Sequence, residues 1–160
     1  MNISVKEYKT FVNSLNDEII DILGDDYTSC WMFAYYIHYI YNLPILNYDP
    51  LYEVKQTSKF NLNKNGIYSY FMCHNTEMHH FVLFVDNDDL ILISTYGGQE
   101  GIIKIKYDKN EFINALNDLI INDNNNIEKY CKLFGIKKVN FKILDLSNLT
   151  LSYTFKELNN

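Results

Sequence analysis

Three features of the chain order predict a single α+β domain. Apolar stripes at helical spacing come first, four period-two segments joined by short turns follow, and helical and extended segments alternate after them. A chain of 160 residues suffices for one hydrophobic core, so residues 1–160 are read as one domain.

Val5, Tyr8, Phe11, Val12, Leu15, Ile19, Ile20 and Leu23 recur at steps of three and four, which predicts a helix over about residues 4–23, ending near Gly24. Thr28 and Ser29 are N-cap residues for a second helix that starts at Cys30. Its run from Trp31 to Tyr41 is apolar on nearly every side, so it reads as the buried central helix, stopped by Asn42-Leu43-Pro44. From Asn42 to Asn65 the chain is rich in Asn and Lys with Pro44 and Pro50, and Leu51 to Val54 is a candidate for a short strand or helical turn.

Beyond Gly66 the period changes to two. Strands are predicted over Ile67–Cys73, His80–Val85, Leu90–Tyr96 and Ile102–Tyr107. The segments between them, including Asn75-Thr76-Glu77-Met78 and Asp86-Asn87-Asp88-Asp89, carry hairpin chemistry, so the sheet is expected to be antiparallel. Asp108 is the expected cap of a helix through Phe112, Leu116 and Ile120. A shorter helix over Ile127–Phe134 stops at Gly135, and Val139–Leu146 and Leu149–Phe155 are read as two late strands.

Composition narrows the function classes. There is no arginine, the net charge is −6 and the pI is near 5.1, which argues against a phosphate-binding surface and hence against a nucleic-acid partner. The abundance of Asn, Lys, Ile and Tyr reflects an AT-rich genome more than a function. Charged residues interrupt the first twenty positions, and no window of about 18 residues is uniformly apolar, so neither a signal peptide nor a membrane span is expected. Cys30, Cys73 and Cys131 lack the spacing of a disulfide framework, consistent with thiols in a reducing cytoplasm.

Cys30 is the residue whose position carries chemistry. At a helix N-terminus the unpaired N–H groups and the dipole favour a thiolate, and burial alone works in the opposite direction. A base is needed beside it, and Met78-His79-His80-Phe81-Val82 offers His80 as the choice.

The segment Ser29-Cys30-Trp31-Met32-Phe33-Ala34 resembles the run around the nucleophile of papain-like cysteine peptidases, and His80-Phe81-Val82-Leu83-Phe84-Val85 resembles their histidine strand. The histidine stretch is also similar to that of the bacteriocin-processing cysteine peptidases, a smaller branch of the same fold. Ile91-Leu92-Ile93-Ser94-Thr95-Tyr96-Gly97 resembles the segment that carries the family's orienting Asn, and it places Ser94 at that position. The resemblance implies a papain-like domain in which a central helix bearing Cys30 packs on an antiparallel sheet bearing His80. It implies a thiol hydrolase of peptide or amide bonds that needs no cofactor and no metal, takes a protein or peptide substrate, and uses Cys30, His80 and Ser94, with Thr95 as the neighbour able to replace Ser94.

Two departures from the family pattern support a different class of reading. Ser94 replaces an amide or carboxylate, and Gly24 stands where the family has its oxyanion glutamine, leaving Gln56 or Gln99 as candidate donors. A papain-like module that has lost catalysis and binds a protein partner is the alternative, and an acyltransferase built on the same Cys–His pair is a third. Cys73, His74, His79 and His80 form the one metal-like grouping; with a four-residue loop, Cys73 is expected opposite His80 and His74 opposite His79. Adjacent histidines on a strand point to opposite faces, which argues against zinc. His38 is read as a packed histidine among tyrosines.

Overall fold

The computed structural model describes residues 3–16, 30–43, 55–56, 60–97, 99 and 101–159. In chain order the elements are α1 (Val5–Ser14), α2 (Cys30–Tyr41), β1 (Lys55–Gln56), β2 (Gly66–His74), β3 (Glu77–Asp86), β4 (Asp89–Ser94), β5 (Ile103–Asp108), α3 (Lys109–Ile121), α4 (Ile127–Phe134) and β6 (Thr150–Glu157). The α+β class predicted from the sequence is observed. Five long strands and the two-residue β1 form one antiparallel sheet in the order β1-β6-β2-β3-β4-β5.

The sheet has a core on each face, because alternate residues of the central strands point opposite ways. Phe81, Leu83 and Val85 of β3 pack with Phe112 and Leu116 of α3 and Tyr130 and Phe134 of α4. Val82 and Phe84 point to the other face and pack with Tyr8 and Val12 of α1 and Phe33 and Ile37 of α2. Strand β3 is therefore buried on both sides, which is why its sequence is continuously apolar from Phe81 to Val85.

Helix α1 begins with a reciprocal capping box: the Glu7 N–H donates to the Ser4 hydroxyl and the Ser4 N–H donates to the Glu7 carboxylate. Its end corrects the sequence reading. The apolar stripe continues to Leu15, but the helix stops at Ser14 and Leu15 turns extended. The carbonyls of Val12 and Leu15 accept from Lys104 Nζ of β5 at 3.0 and 3.2 Å, so a cation far along the chain satisfies the helix end. The rest of the predicted stripe, from Ile19 to Leu23, lies outside the described residues, as does the Leu51–Val54 segment.

Helix α2 runs over the predicted residues and ends as expected: Asn42 adopts φ 49° and the Leu43 N–H bonds back to the His38 carbonyl at 2.9 Å. It is not buried all round. Phe33, Ala34, Ile37 and His38 face the sheet, while Trp31, Tyr35 and Tyr39 form an exposed row.

Both early hairpins turn through an asparagine in the left-handed region, Asn75 at φ 52° and Asn87 at φ 56°. The β2–β3 turn is two residues long and not four, which shifts the expected pairing. Phe71 lies opposite His80 and Met72 opposite His79, so Cys73 and His74 instead face Met78 and Glu77. At the start of β2, Gly66 has φ 148°, and a Cβ there would lie 2.2 Å from the Lys156 carbonyl oxygen of β6. No other residue type fits.

Asp108 and Asn126 cap α3 and α4 by accepting the N–H of Glu111 and Lys129, each at 3.0 Å, and Gly135 ends α4 at φ 68°. The predicted strand over 139–146 does not form. The segment crosses the α4 side of the core, burying Leu144 and Leu146 while Ile143 stays exposed, so its apolar alternation breaks. Its backbone is held piecemeal, with the Asn140 N–H on the Tyr96 hydroxyl and the Leu146 N–H on the Asn124 carbonyl. The last strand, β6, does form, and fills the edge between β1 and β2.

Candidate active site

Cys30 is the first residue of α2, and that helix packs on β3 and β4. The pairing of β3 with β4 runs from Asp86↔Asp89 to Val82↔Ile93 and stops there. Two residues farther along β3, the main chain of His80 is left with a donor and an acceptor on its β4 side. Its N–H donates to Cys30 Sγ at 3.4 Å, and its carbonyl accepts from the Ser94 hydroxyl at 3.1 Å. The end of the ladder thus brings together segments 50 residues apart, and Cys30 meets the main chain of the histidine singled out from sequence.

The two adjacent histidines leave β3 in opposite directions. His80 shares the α2 face with Val82, and its ring stacks on Phe71, its cross-strand neighbour, with centroids 4.5 Å apart and planes at 24°. His79 shares the α4 face with Phe81 and sits edge-on to Phe134 and Tyr96. Both are buried.

Ser94 corrects the expectation for the third residue. Its hydroxyl reaches the His80 carbonyl, the Thr95 carbonyl at 2.9 Å and His79 Nε2 at 3.4 Å, and makes no hydrogen bond to the His80 ring. The reason is the phase of β4: Ser94 follows Ile93, which shares the face of Val82, and therefore turns to the face of Phe81 and His79. His79 Nδ1 is buried without a partner among the described residues, and a bare acceptor costs less than a bare N–H, so the proton belongs on Nε2, donating to Ser94 Oγ. Thr95, the next residue, is 1% exposed, and its hydroxyl has no partner among the described residues.

Burial sets the protonation states. It pushes the Cys30 thiol up from its ordinary range, and the N–H groups of His80, Trp31 and Cys30 itself offset only part of that rise. The helix N-terminus does not win, contrary to the expectation of a lowered value. Burial likewise depresses His80 to about 3, with further contributions from His79 and His38, and His79 to about 3, with a contribution from His74. His74, whose Nε2 lies 3.2 Å from the Tyr130 hydroxyl, is lowered to about 4 by burial against a small opposing pull from Asp145. At neutral pH the resting pair is a neutral thiol and a neutral imidazole.

Of the candidate oxyanion donors, Gln99 is committed elsewhere: its amide donates to the Gly135 carbonyl at 3.2 Å and accepts from the Lys137 N–H at 2.8 Å. Gly24 lies outside the described residues, and the side chain of Gln56 is not described. Among the described residues no three His, Cys, Asp or Glu side chains converge as metal ligands, and no helix is long and apolar enough to cross a membrane.

The hydroxyl of Ser94 and its link to His79 are the features that sequence reasoning assigned differently. Counting the period of two from Val82↔Ile93 is the signal that separates Ser94 from the His80 side chain. Compared with family models, with curated proteins and with solved structures, the chain matches none.

Proposed function

We propose that the protein is a thiol hydrolase of peptide or amide bonds with Cys30 as nucleophile and His80 as general base. The observation that carries this reading is the meeting of a helix-opening cysteine with the main chain of a strand histidine, through the 3.4 Å contact from the His80 N–H to Cys30 Sγ. The resemblance of both segments to papain-like peptidases supports it independently.

Because thiol and imidazole both rest neutral, the proton moves when substrate arrives and not before. Cys30 Sγ bonds to the carbonyl carbon as His80 takes the thiol proton. The C–N bond then breaks, and His80 returns that proton to the leaving amine. Water adds to the thioester, giving its proton to His80, and release of the acid restores the thiol. Such chemistry suits a dry site in which a charge pair is costly at rest.

A second reading, a papain-like module that binds a protein partner without catalysis, is favoured by the same neutral pair and by the engagement of Ser94 with His79. An electrophilic peptide vinyl sulfone pool separates the two. The hydrolase reading predicts a stable adduct on the Cys30 peptide, lost in His80→Ala, and turnover of a fluorogenic peptide-amide pool that Cys30→Ala abolishes. Labelling confined to Cys73 and Cys131, with no turnover, would support the binding module and remove the hydrolase.

A further inference from the structure

We propose that Ser94 is a positioning residue for the Cys30 sulfur, acting through the main chain of His80 and not through its ring. The proposal rests on Cys30 as the reacting group but extends beyond the assigned roles of Cys30 and His80.

The argument begins with the end of β4. Had the ladder continued past Val82↔Ile93, the N–H and carbonyl of His80 would have been consumed by sheet bonds. They are instead divided between a side chain from α2 and a side chain from β4: the N–H on Cys30 Sγ at 3.4 Å, and the carbonyl on Ser94 Oγ at 3.1 Å. Both groups lie on the same edge of the strand, on the two peptide planes that flank the His80 Cα, so the hydroxyl that holds the carbonyl restrains the N–H through the φ and ψ of His80. A Ser94 side chain that is 1% exposed has no water to replace this bond.

The bonding capacity of the hydroxyl sharpens the assignment. It has one proton, to be given to the His80 or Thr95 carbonyl, and an oxygen that accepts from His79 Nε2. His79 thereby orients the hydroxyl so that its proton is directed at the carbonyls. The chain of contacts runs from His79 to Ser94 to the His80 carbonyl, and across the His80 Cα to the N–H on Cys30, from the α4 face of the sheet to the α2 face. An N–H aimed at sulfur favours the thiolate over the thiol, so anything that loosens the backbone dihedrals of His80 weakens that preference.

The wild-type protein provides the first test. With ¹³Cβ-labelled cysteine and ¹⁵N-labelled backbone, the His80 amide proton is expected to shift with the Cys30 titration, and by more than any other β3 amide. Ser94→Ala is expected to raise the Cys30 titration midpoint by about 0.5–1 unit and to speed hydrogen exchange at the His80 amide. Ser94→Thr, which retains the hydroxyl, restores the wild-type midpoint. His79→Phe, which retains Ser94, moves it less than Ser94→Ala does. A His80 amide that stays flat through the Cys30 titration overturns the proposal, as does a Ser94→Ala midpoint equal to wild type in a folded protein. Absence of peptide turnover with a responsive His80 amide counts against the hydrolase alone; turnover with a flat amide counts against this proposal alone.

Discussion

The two faces of the sheet use their histidines differently, although His79 and His80 are neighbours in the chain. On the α4 face, His79 and His74 are fixed by hydroxyls of Ser94 and Tyr130 and lie among Phe81, Phe134 and Phe141. On the α2 face, His80 stacks on Phe71, and its main chain meets the only thiol that opens a helix. The difference teaches that burial by itself does not mark a reactive site. Both faces hold neutral imidazoles, and on the α2 face a thiol at a helix N-terminus lies against the main chain of one of them.

The largest effect that sharpens this contrast is expected from the α4 face. Phe134 is fully buried against Phe81, Tyr130 and His79, so Phe134→Ala should cost roughly 3–5 kcal/mol in urea unfolding. Because Ser94 and the His80 main chain are retained, the folded variant changes the rate of Cys30 alkylation less than Ser94→Ala does. A Cys30 rate that falls in proportion to stability would break the distinction.

Acid is next. His79 and His80, each held near about 3, stay neutral in the folded protein while the unfolded chain takes up protons below its ordinary value of 6.5. Their contribution is complete above about pH 6.5 and is lost as the pH falls toward the folded values, at about 1.4 kcal/mol per unit for each group. Between pH 7 and 4.5 this comes to roughly 2–3 kcal/mol apiece. Urea midpoints at the two pH values should therefore separate, and by less in His79→Phe than in wild type. Equal pH dependence in the two proteins would show that His79 is not held neutral.

A smaller effect concerns the helix that covers the α4 face. Asp108→Ala removes the acceptor for the Glu111 N–H and should destabilise by about 1 kcal/mol with no change in Cys30 reactivity. The urea midpoint and the alkylation rate, measured on the same sample, check both halves of that statement.

Elements governed by local chemistry were legible from sequence. Strands β2 to β5 followed from period two and from Asn75 and Asn87, α3 from Asp108, and the end of α4 from Gly135, whose caps act within a few residues of themselves. Features set by distant partners were not. The stripe of α1 continues through Leu15 in the sequence, but Lys104, some 90 residues later, takes the terminal carbonyls. The segment 139–146 has the composition of a strand, yet its Leu144 and Leu146 are spent on the core and no sheet edge receives it.

The candidate site divides in the same way. The contact of Cys30 with His80 follows from where each residue sits: Cys30 opens α2, and His80 lies within β3 just past the end of the β3–β4 ladder. The partner of Ser94 was not legible, because it depends on the register of β4 on β3, and a one-residue slip in that register decides which histidine the hydroxyl meets. The thiol's direction of shift depended on the depth of burial, which composition does not report.

The measurement that tests the Cys30–His80 pairing most directly is the pH–rate profile of iodoacetamide alkylation, followed residue by residue by peptide mass spectrometry in wild type and His80→Ala. Cys73 and Cys131 serve as internal references. A neutral thiol whose proton passes to a neutral imidazole predicts that His80→Ala slows Cys30 at neutral pH at least about tenfold and leaves the other two thiols unchanged. A Cys30 rate that is the same with and without His80 would contradict the pairing and leave the contact as packing alone.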